Sequence, residues 1–469
     1  MRRRISLSLL AGLLAGCAVG PNYKRPDVPV PATFRAPTPL PPDQAASLAD
    51  LKWFEVFKDP QLQNLIRTAL QRNYDLRDAA TRVEEARASV GVTRSNQFPH
   101  FGAGGEIDIN RLSRDGATPL PPQFLPSQNR NFGTALLQLL SFEVDIWGKL
   151  RRATEAARAD FLGADEYRKA VVTTLVSDVA TSYLSLRELD YELAISNETL
   201  HNRQESLELT VSRQTGGVST LLDLRQAQEL VFTATQAIPT IQQRIEQTEN
   251  RIQFLLGNSP GPVERGQGLI EQDLPPEVPA GLPSSLLERR PDIRAAEQAL
   301  IAANARIGVA RAAYFPTLSL SGALGGASTQ LSNLFSGPAS TWSLIPQVTQ
   351  PIFTAGAIKS NVRYVQAERE QALVQYEKTI QTAFQEVSDA LIAHRRTRES
   401  REQQEALVFA LTDRLRLAYL RYRGGVDTQL NALDADRDLY SGQLTLAQLR
   451  LDELLTVVQV YKALGGGWQ

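Results

Sequence analysis

Few residues in this sequence have the type and spacing that covalent or metal chemistry requires. The three histidines, His100, His201 and His394, are scattered along the chain, and no HExxH, GxSxG or GxxxxGK pattern is present. The stretch GAGG at 102–105 opens an alternating, strand-like pattern, which is the wrong context for a dinucleotide fold. The sequence therefore predicts no enzyme active site, no metal site and no dissociable cofactor.

The single cysteine, Cys17, is placed for a different chemistry, the acylation of its thiol. It follows three arginines, an apolar run from Ile5 to Leu14 and two small residues, which is the order found in a secretory signal peptide. The ending resembles the lipobox of bacterial lipoproteins, in which the peptidase cuts before the cysteine and the thiol receives lipid. We predict a signal peptide over 1–16 and a covalent lipid on Cys17. Ala18, rather than Asp, comes next and favours sorting to the outer membrane.

The composition excludes several kinds of partner and segment. Lys plus Arg number 50 and Asp plus Glu number 51, so no overall charge indicates nucleic acid. No apolar run of about 18 residues follows the leader, so no transmembrane helix is predicted. With Met1 removed and Cys17 lipidated, the mature chain would have no free thiol and no methionine thioether to relay a soft metal ion.

The chain carries the same pattern twice. Residues 75–99 and 292–316 agree at 10 of 25 positions without a gap, and a GGV motif recurs in similar surroundings at 216–218 and 424–426. The sequence is therefore an internal duplication. It divides into a lipidated extended segment at 17–52, a first repeat at 53–259, a Pro-rich linker at 260–283 and a second repeat at 284–469.

Each repeat contains a very long helical pattern that ends at its GGV motif. Apolar residues recur near every 3.6 positions, which predicts a helix of roughly 60 residues, ~90 Å long. A helix of that length needs a coiled-coil partner or a helical tube. We read the segments 216–220 and 424–428 as hairpin tips, with both glycines of each pair free to take positive φ; a simple helix end is the alternative. Pro239 is expected to bend or break the first return helix.

Four strands are predicted, at about 100–110, 131–147, 316–325 and 341–353. Their expected apolar face holds Phe101, Ala103, Ile107 and Ile109, then Phe132, Leu136, Leu140, Phe142, Val144 and Ile146, then Leu318, Leu320 and Leu324, and finally Trp342, Leu344, Val348 and Ile352. Such alternation is typical of membrane β-barrels and also of half-buried soluble hairpins. Four strands are too few to close a barrel, so chains must associate: two would give eight strands and three would give twelve. Periodicity does not choose between them.

Several motifs together resemble one family. They are GCAVGPNYKRPDVPVPATF after the leader, FEVDIWGKLRRA, RYRGGVDTQLNALDADRDLY and the ending VYKALGGGW. They are similar to the TolC-like outer-membrane factors, in the lipoprotein branch that serves RND-type efflux systems. The resemblance implies a mixed α and β membrane fold, with a homotrimer whose twelve-stranded outer-membrane barrel continues into a twelve-helix periplasmic tube. It implies a passive duct for drugs, toxic compounds or metal ions, joined to a periplasmic adaptor and an inner-membrane pump.

The same resemblance implies roles for particular residues. The adaptor-docking tips would be Gly216, Gly217, Val218, Gly424, Gly425 and Val426. Leu430 and Asp434 match the residues that narrow the closed pore. Asp223, Tyr422 and Arg437 match positions that link neighbouring hairpins, whereas Asp427 stands where some relatives carry a linking arginine.

Two other functions stay open at this point. One is an outer-membrane duct for type I protein secretion, and the other is a lipid-anchored periplasmic structural or adaptor protein. The lipid site and the VYKALGGGW ending favour efflux over secretion. A lipid-anchored adaptor would be a monomer or dimer without heat-resistant trimers.

Overall fold

The computed structural model describes residues 18–31, 33–35, 47–111, 129–272, 279, 281 and 283–468, and only the backbone of residues 129 and 130. The predicted signal peptide, Cys17, residues 112–128 and part of the Pro-rich linker lie outside the described residues.

Helices make up most of the described chain. The α-helices are α1 (Trp53–Val56), α2 (Pro60–Arg72), α3 (Tyr74–Ser95), α4 (Lys149–Thr215), α5 (Leu221–Leu255), α6 (Leu286–Arg289), α7 (Pro291–Ala312), α8 (Ala357–Arg423) and α9 (Gln429–Ala463). The strands are β1 (Phe101–Arg111), β2 (Asn129–Val144), β3 (Thr317–Ser328) and β4 (Ser340–Thr349). Short 3₁₀ turns occur at Leu48–Asp50, Leu269–Glu271, Pro283–Ser285, Leu331–Asn333 and Gly337–Ala339. Among the described residues, none of the helices has the length and apolar character needed to cross a membrane.

The four strands form one antiparallel sheet in the order β1-β2-β3-β4. Leu318 lies opposite Val348 and Leu324 lies opposite Trp342, and opposite residues of antiparallel strands share a face. The predicted apolar faces of β1, β3 and β4 are confirmed by these registers, except for Ile352, which lies beyond the end of β4. On the other face lie polar side chains, including Glu106 and Ser319.

The prediction for β2 was wrong over its first half. The register between β2 and β3 shifts between Leu139 and Phe142, so one extra residue forms a β-bulge there. Leu137 and Leu139 therefore share the apolar face with Phe142, whereas Phe132 and Leu136 lie on the polar face. Leu140 lies in the bulge itself.

Two strands end earlier than expected. β2 stops at Val144 because the Asp145 carboxylate accepts the backbone N–H groups of Leu150 and Arg151, at 3.1 and 3.0 Å, and so begins α4. β4 stops at Thr349, and Pro351 lies just beyond its end. A proline does not by itself end this strand, since Pro346 lies inside β4 opposite Leu320, as an edge strand allows.

The long helices have the same lengths in both copies. α4 and α8 each contain 67 residues, and α5 and α9 each contain 35. The expected break at Pro239 does not occur, because α5 runs through it. Ala234 and Ile241 are buried on either side of the proline, and this packing keeps the flanking turns helical despite the missing hydrogen bond.

The described chain forms two compact units, and neither coincides with a sequence repeat. One unit contains the N-terminal residues to Pro26, Val83–Gly163 and Ala296–Gln375; the other contains Asp27–Arg82, Ala164–Ala295 and Tyr376–Gln469. Each unit therefore draws on both copies. The reason is that α3, α4, α7 and α8 are long enough to run from one unit into the other.

Candidate functional site at the hairpin tips

Both GGV motifs end a long helix in the same way. The Gly217 N–H donates to the Gln214 carbonyl at 3.0 Å and the Val218 N–H donates to the Arg213 carbonyl at 2.8 Å, which is a Schellman motif. Gly425 and Val426 repeat both bonds in the second copy. The chain then turns and starts the return helix.

Only one glycine of each pair uses its conformational freedom. Gly217 has φ +75 and Gly425 has φ +72, whereas Gly216 and Gly424 have no positive φ. One residue with positive φ is therefore enough to end each helix and reverse the chain. The first glycine of each pair still closes the helix, since its N–H donates four residues back.

The first tip begins its return helix with a capping box. The Asp223 N–H donates to the Thr220 hydroxyl at 3.2 Å, and the Thr220 N–H donates to the Asp223 carboxylate at 2.8 Å. Within one chain Asp223 thus caps its own helix. Its predicted link to a neighbouring hairpin stays a prediction.

In the second tip the capping carboxylate belongs to Asp427, the residue immediately before the N-cap Thr428 of the return helix. Asp427 accepts from the Arg421 guanidinium at 2.9 Å, the Thr428 N–H at 2.8 Å and the Asn431 amide at 2.6 Å. The Arg421 hydrogen bond, followed by those from Thr428 and Asn431, lowers the pKa of Asp427. Ser219 occupies the corresponding position of the first copy, so this clamp belongs to the second tip. All three contacts of Asp427 therefore lie inside its own hairpin, and a link to a neighbouring hairpin stays a prediction.

Apolar side chains project from both tips. Val218 is 80% exposed and Val426 is 68% exposed, and Leu221 and Leu222 are also exposed on the first tip. Together they form apolar caps that a partner helix could cover.

The predicted pore-narrowing residues lie on one face of α9. Leu430 and Asp434 are four residues apart, and Arg437 follows one turn later. The Arg437 guanidinium donates to Asp434 at 2.8 Å, and both side chains are solvent-accessible. Leu430 is about half exposed. This face carries an apolar group followed by a neutralised carboxylate.

A polar seam, which the sequence analysis missed, joins α4 to the second hairpin within a chain. Its pairs are Ser196 with Tyr440, Arg203 with Asp436, Ser206 with Tyr419, Thr210 with Gln429, and Arg213 with Tyr422. On α4 these residues fall in two series spaced by seven, so they share a face of the helix. That spacing was the available signal, but small hydroxyl residues at such positions are common on solvated helices.

Tyr422 lies at the tip end of this seam. The Arg213 guanidinium sits 4.5 Å from its ring centroid, and its hydroxyl donates to Gln429 at 3.2 Å. The Gln429 amide in turn donates to Thr210 at 2.8 Å. In this chain Tyr422 therefore connects the second hairpin with the first.

The Arg203–Asp436 pair is the most buried contact of the seam. Arg203 is 4% exposed and Asp436 is 8% exposed, and the guanidinium donates to the carboxylate at 2.6 Å and to the Leu230 carbonyl at 3.0 Å. Burial raises the pKa of Asp436, although Arg203 acts to lower it. Arg203 thus ties three helices, α4, α5 and α9. Within the described ranges, no three His, Cys, Asp or Glu side chains are arranged to hold a metal ion.

These features define a class of protein: a duplicated chain in which each copy gives two strands and one long helical hairpin with a glycine tip. The profile described as outer membrane efflux protein matches residues 65–258 and 282–466. The chain belongs to this family.

Individual relatives agree with the family match. The chain is 39% identical to the antibiotic efflux pump outer membrane protein ArpC of Pseudomonas putida, over 99% of this chain and 95% of that protein. It is 37% identical to the cation efflux system protein CusC of Escherichia coli, covering 97% of each. The open state of the Neisseria gonorrhoeae MtrE outer membrane channel matches with a TM-score of 0.87 and 32% identity, covering 97% of this chain and 99% of that one.

The resemblance found in the sequence is therefore confirmed. The chain is an outer-membrane efflux channel protein whose helical part lies in the periplasm.

Proposed function

We propose that three chains associate into one outer-membrane duct, which passively conducts small toxic molecules such as antibiotics or metal ions out of the cell. The duct would receive them from an inner-membrane RND-type pump through a periplasmic adaptor. The relatives named for antibiotic and cation efflux support this range of substrates.

The main structural support for this proposal is the arrangement of the four-stranded sheet. Its outer strands, β1 and β4, each pair on one side only within the described residues, and they run antiparallel to each other because the sheet has four alternating strands. The β4 edge of one chain can therefore continue onto the β1 edge of the next without reversing the pattern. Three chains would close twelve strands, with the apolar face towards lipid and no edge left unpaired.

Adjacent residues in β4 test which face meets lipid. Leu344 lies mid-strand on the apolar face and Ser343 lies on the polar face. Leu344→Arg should cost roughly 2–4 kcal/mol, because it places a charge in the bilayer, and so reduce the heat-resistant trimer in membrane extracts. Ser343→Arg, the matched control, should leave trimer yield near the parent level. Equal losses from both variants would mean that the face is assigned wrongly.

The hairpin tips would form the periplasmic mouth. Two tips per chain give six in a trimer, each with an exposed valine, Val218 or Val426. The glycine motifs Gly216-Gly217 and Gly424-Gly425 would let these tips meet the adaptor. Leu430 and Asp434 would face the pore and narrow it at rest, and Arg437 would offset the charge of Asp434.

The lipid on Cys17 would add a second attachment to the outer membrane. Cys17→Ser should abolish incorporation of radioactive palmitate, because the chain has no other cysteine. The label should be read on the purified protein, with the Leu344→Arg variant as a control that keeps the thiol. Label retained by Cys17→Ser would overturn the lipid assignment.

The other functions are less well supported. The relatives reported above are named for efflux of antibiotics and cations rather than for protein secretion. A lipid-anchored adaptor would leave the apolar face of the sheet open to water. A heat-resistant trimer on a detergent gel would separate the duct from that adaptor.

A further inference from the structure

The residues immediately after the predicted lipid site do not form a loose linker. From Val19 to Arg25 the chain lies extended against α7 and the start of α4, all within one compact unit. We call this segment, Val19–Arg25, the strap. Its composition, with Gly20 and Pro21, opposes regular helix and suits an extended path.

Ionic and hydrogen-bonding contacts hold the far end of the strap. The Arg25 guanidinium donates to both carboxylate oxygens of Glu297, at 2.7 and 2.5 Å, and the Tyr23 hydroxyl donates to the same carboxylate at 3.0 Å. Glu297 is only 7% exposed. A bidentate arginine on a buried carboxylate is among the stronger polar contacts in proteins.

The near end is held through backbone groups. The Val19 N–H donates to the Trp147 carbonyl at 2.9 Å, just where β2 gives way to α4. The Asn304 amide donates to the Pro21 carbonyl at 2.9 Å, and Arg152 donates to the Asn22 side chain at 2.7 Å. Two of these contacts are made to main-chain atoms of the strap and one to a side chain.

Two glycines let the strap approach α7 closely. A Cβ on Gly20, which has φ +109, would lie 2.5 Å from the Gly308 Cα, and a Cβ on Gly308 would lie 2.6 Å from the Val19 carbonyl oxygen. Such distances leave no room for a side chain. The backbones touch directly.

The duplication provides an internal comparison. By the alignment of the two repeats, Ala80 stands in place of Glu297, Arg87 in place of Asn304, and Ser360 in place of Arg152. Gly91, the counterpart of Gly308, has no described atom within 4 Å of an added Cβ. The second copy alone therefore carries the acid, the amide and the covered glycine that the strap contacts.

We infer that the groove formed by Trp147, Arg152, Glu297, Asn304 and Gly308 is a docking site for the chain's own N-terminal strap, and that it fixes the lipid attachment point beside the junction of β2 and α4. The part about lipid rests on the proposed function; the docking does not. Only Ala18 lies between Cys17 and Val19, so their Cα atoms are at most about 7 Å apart. A force on the lipid would therefore be transmitted through the strap to α4 and α7.

Limited proteolysis tests the docking. Trypsin can cut after Lys24 only when the strap leaves the groove, because proteases need a locally unfolded segment. New N-termini at residue 25 should be counted by mass spectrometry on the purified, detergent-solubilised full chain. Glu297→Ala and Arg25→Ala should each raise the cleavage rate about tenfold or more. Arg25→Ala changes only the strap and leaves α7 intact.

Matched controls separate docking from general damage. Arg306→Ala, on the same helix as Glu297, removes an exposed pair with Asp160 of α4 and should be cleaved at the parent rate. Gly308→Ala should raise cleavage, whereas Gly91→Ala, the same change in the other copy, should not.

The cleavage assay tests strap docking independently of lipid attachment to Cys17. Cleavage after Lys24 is counted whether or not Cys17 carries palmitate, so a failed lipid assignment leaves this test valid. If the parent is cut as fast as Glu297→Ala, or if Arg25→Ala stays protected, the strap is not held by this groove and the inference is overturned.

Discussion

Replacing Arg203 with alanine is expected to lower the free energy of unfolding by about 3–5 kcal/mol. The change leaves the buried Asp436 carboxylate without its cation and removes the side-chain hydrogen bond to the Leu230 carbonyl. An isolated charge in the interior is costly because protein surroundings solvate it poorly. The loss should appear as a lower unfolding midpoint, followed by helical circular dichroism on the detergent-solubilised protein.

The pair itself need not be a net source of stability. Burial raises the pKa of Asp436 in spite of Arg203, so desolvation outweighs the attraction. Arg203→Met combined with Asp436→Leu should therefore recover most of the loss.

A surface pair supplies the control for this prediction. Arg416→Ala removes an exposed contact with Asp413 and should change stability by roughly 0–1 kcal/mol. If Arg203→Ala costs no more than Arg416→Ala, the buried contact does not hold the two hairpins together.

The hairpins could be predicted from the sequence because their helices and their glycine tips each have a distinct sequence pattern. Long stretches with few helix breakers, such as 149–215, predict long helices. Only glycine takes the left-handed turn at Gly217 and Gly425 without strain, so a repeated GGV marks a repeated tip. The alternation in β1, β3 and β4 was equally clear, since polar and apolar residues occupy different faces there.

The second strand was not readable in the same way. The run LLQLL from Leu136 to Leu140 places leucine on both faces, so periodicity alone could not locate the bulge. The bulge is recognised only when β3 supplies the register, with Leu137 opposite Leu324 and Phe142 opposite Leu320.

Contacts between segments far apart in the sequence could not be predicted either. Arg203 and Asp436 are 233 residues apart, and Arg25 and Glu297 are 272 residues apart. Charged residues on helices usually face solvent, and no local pattern distinguishes these exceptions. The capping roles of Asp223 and Asp427 were not predicted either. Each carboxylate accepts a backbone N–H group of its own hairpin.

The second large effect is expected at the proposed pore constriction. Around a narrow mouth, three copies of Leu430 would form an apolar collar, and three copies of Asp434 would form a ring whose mutual repulsion Arg437 offsets. Truncating both side chains removes the collar and the ring together. Leu430→Ala with Asp434→Ala should therefore widen the resting mouth and lower its preference for cations.

The duplication again offers a matched control. Leu222 and Gln226 occupy the corresponding positions of the first hairpin. Leu222→Ala with Gln226→Ala removes comparable bulk near the other tip, outside the proposed constriction. This variant should conduct like the parent.

Single-channel conductance in planar lipid bilayers tests the central claim most directly, since it asks whether the chain forms a duct closed by its second hairpin. The parent should insert as a channel of low conductance, the Leu430→Ala, Asp434→Ala variant should conduct several-fold more, and the Leu222→Ala, Gln226→Ala variant should match the parent. If the first variant conducts and selects ions as the parent does, the closure lies elsewhere and the tips serve only for docking.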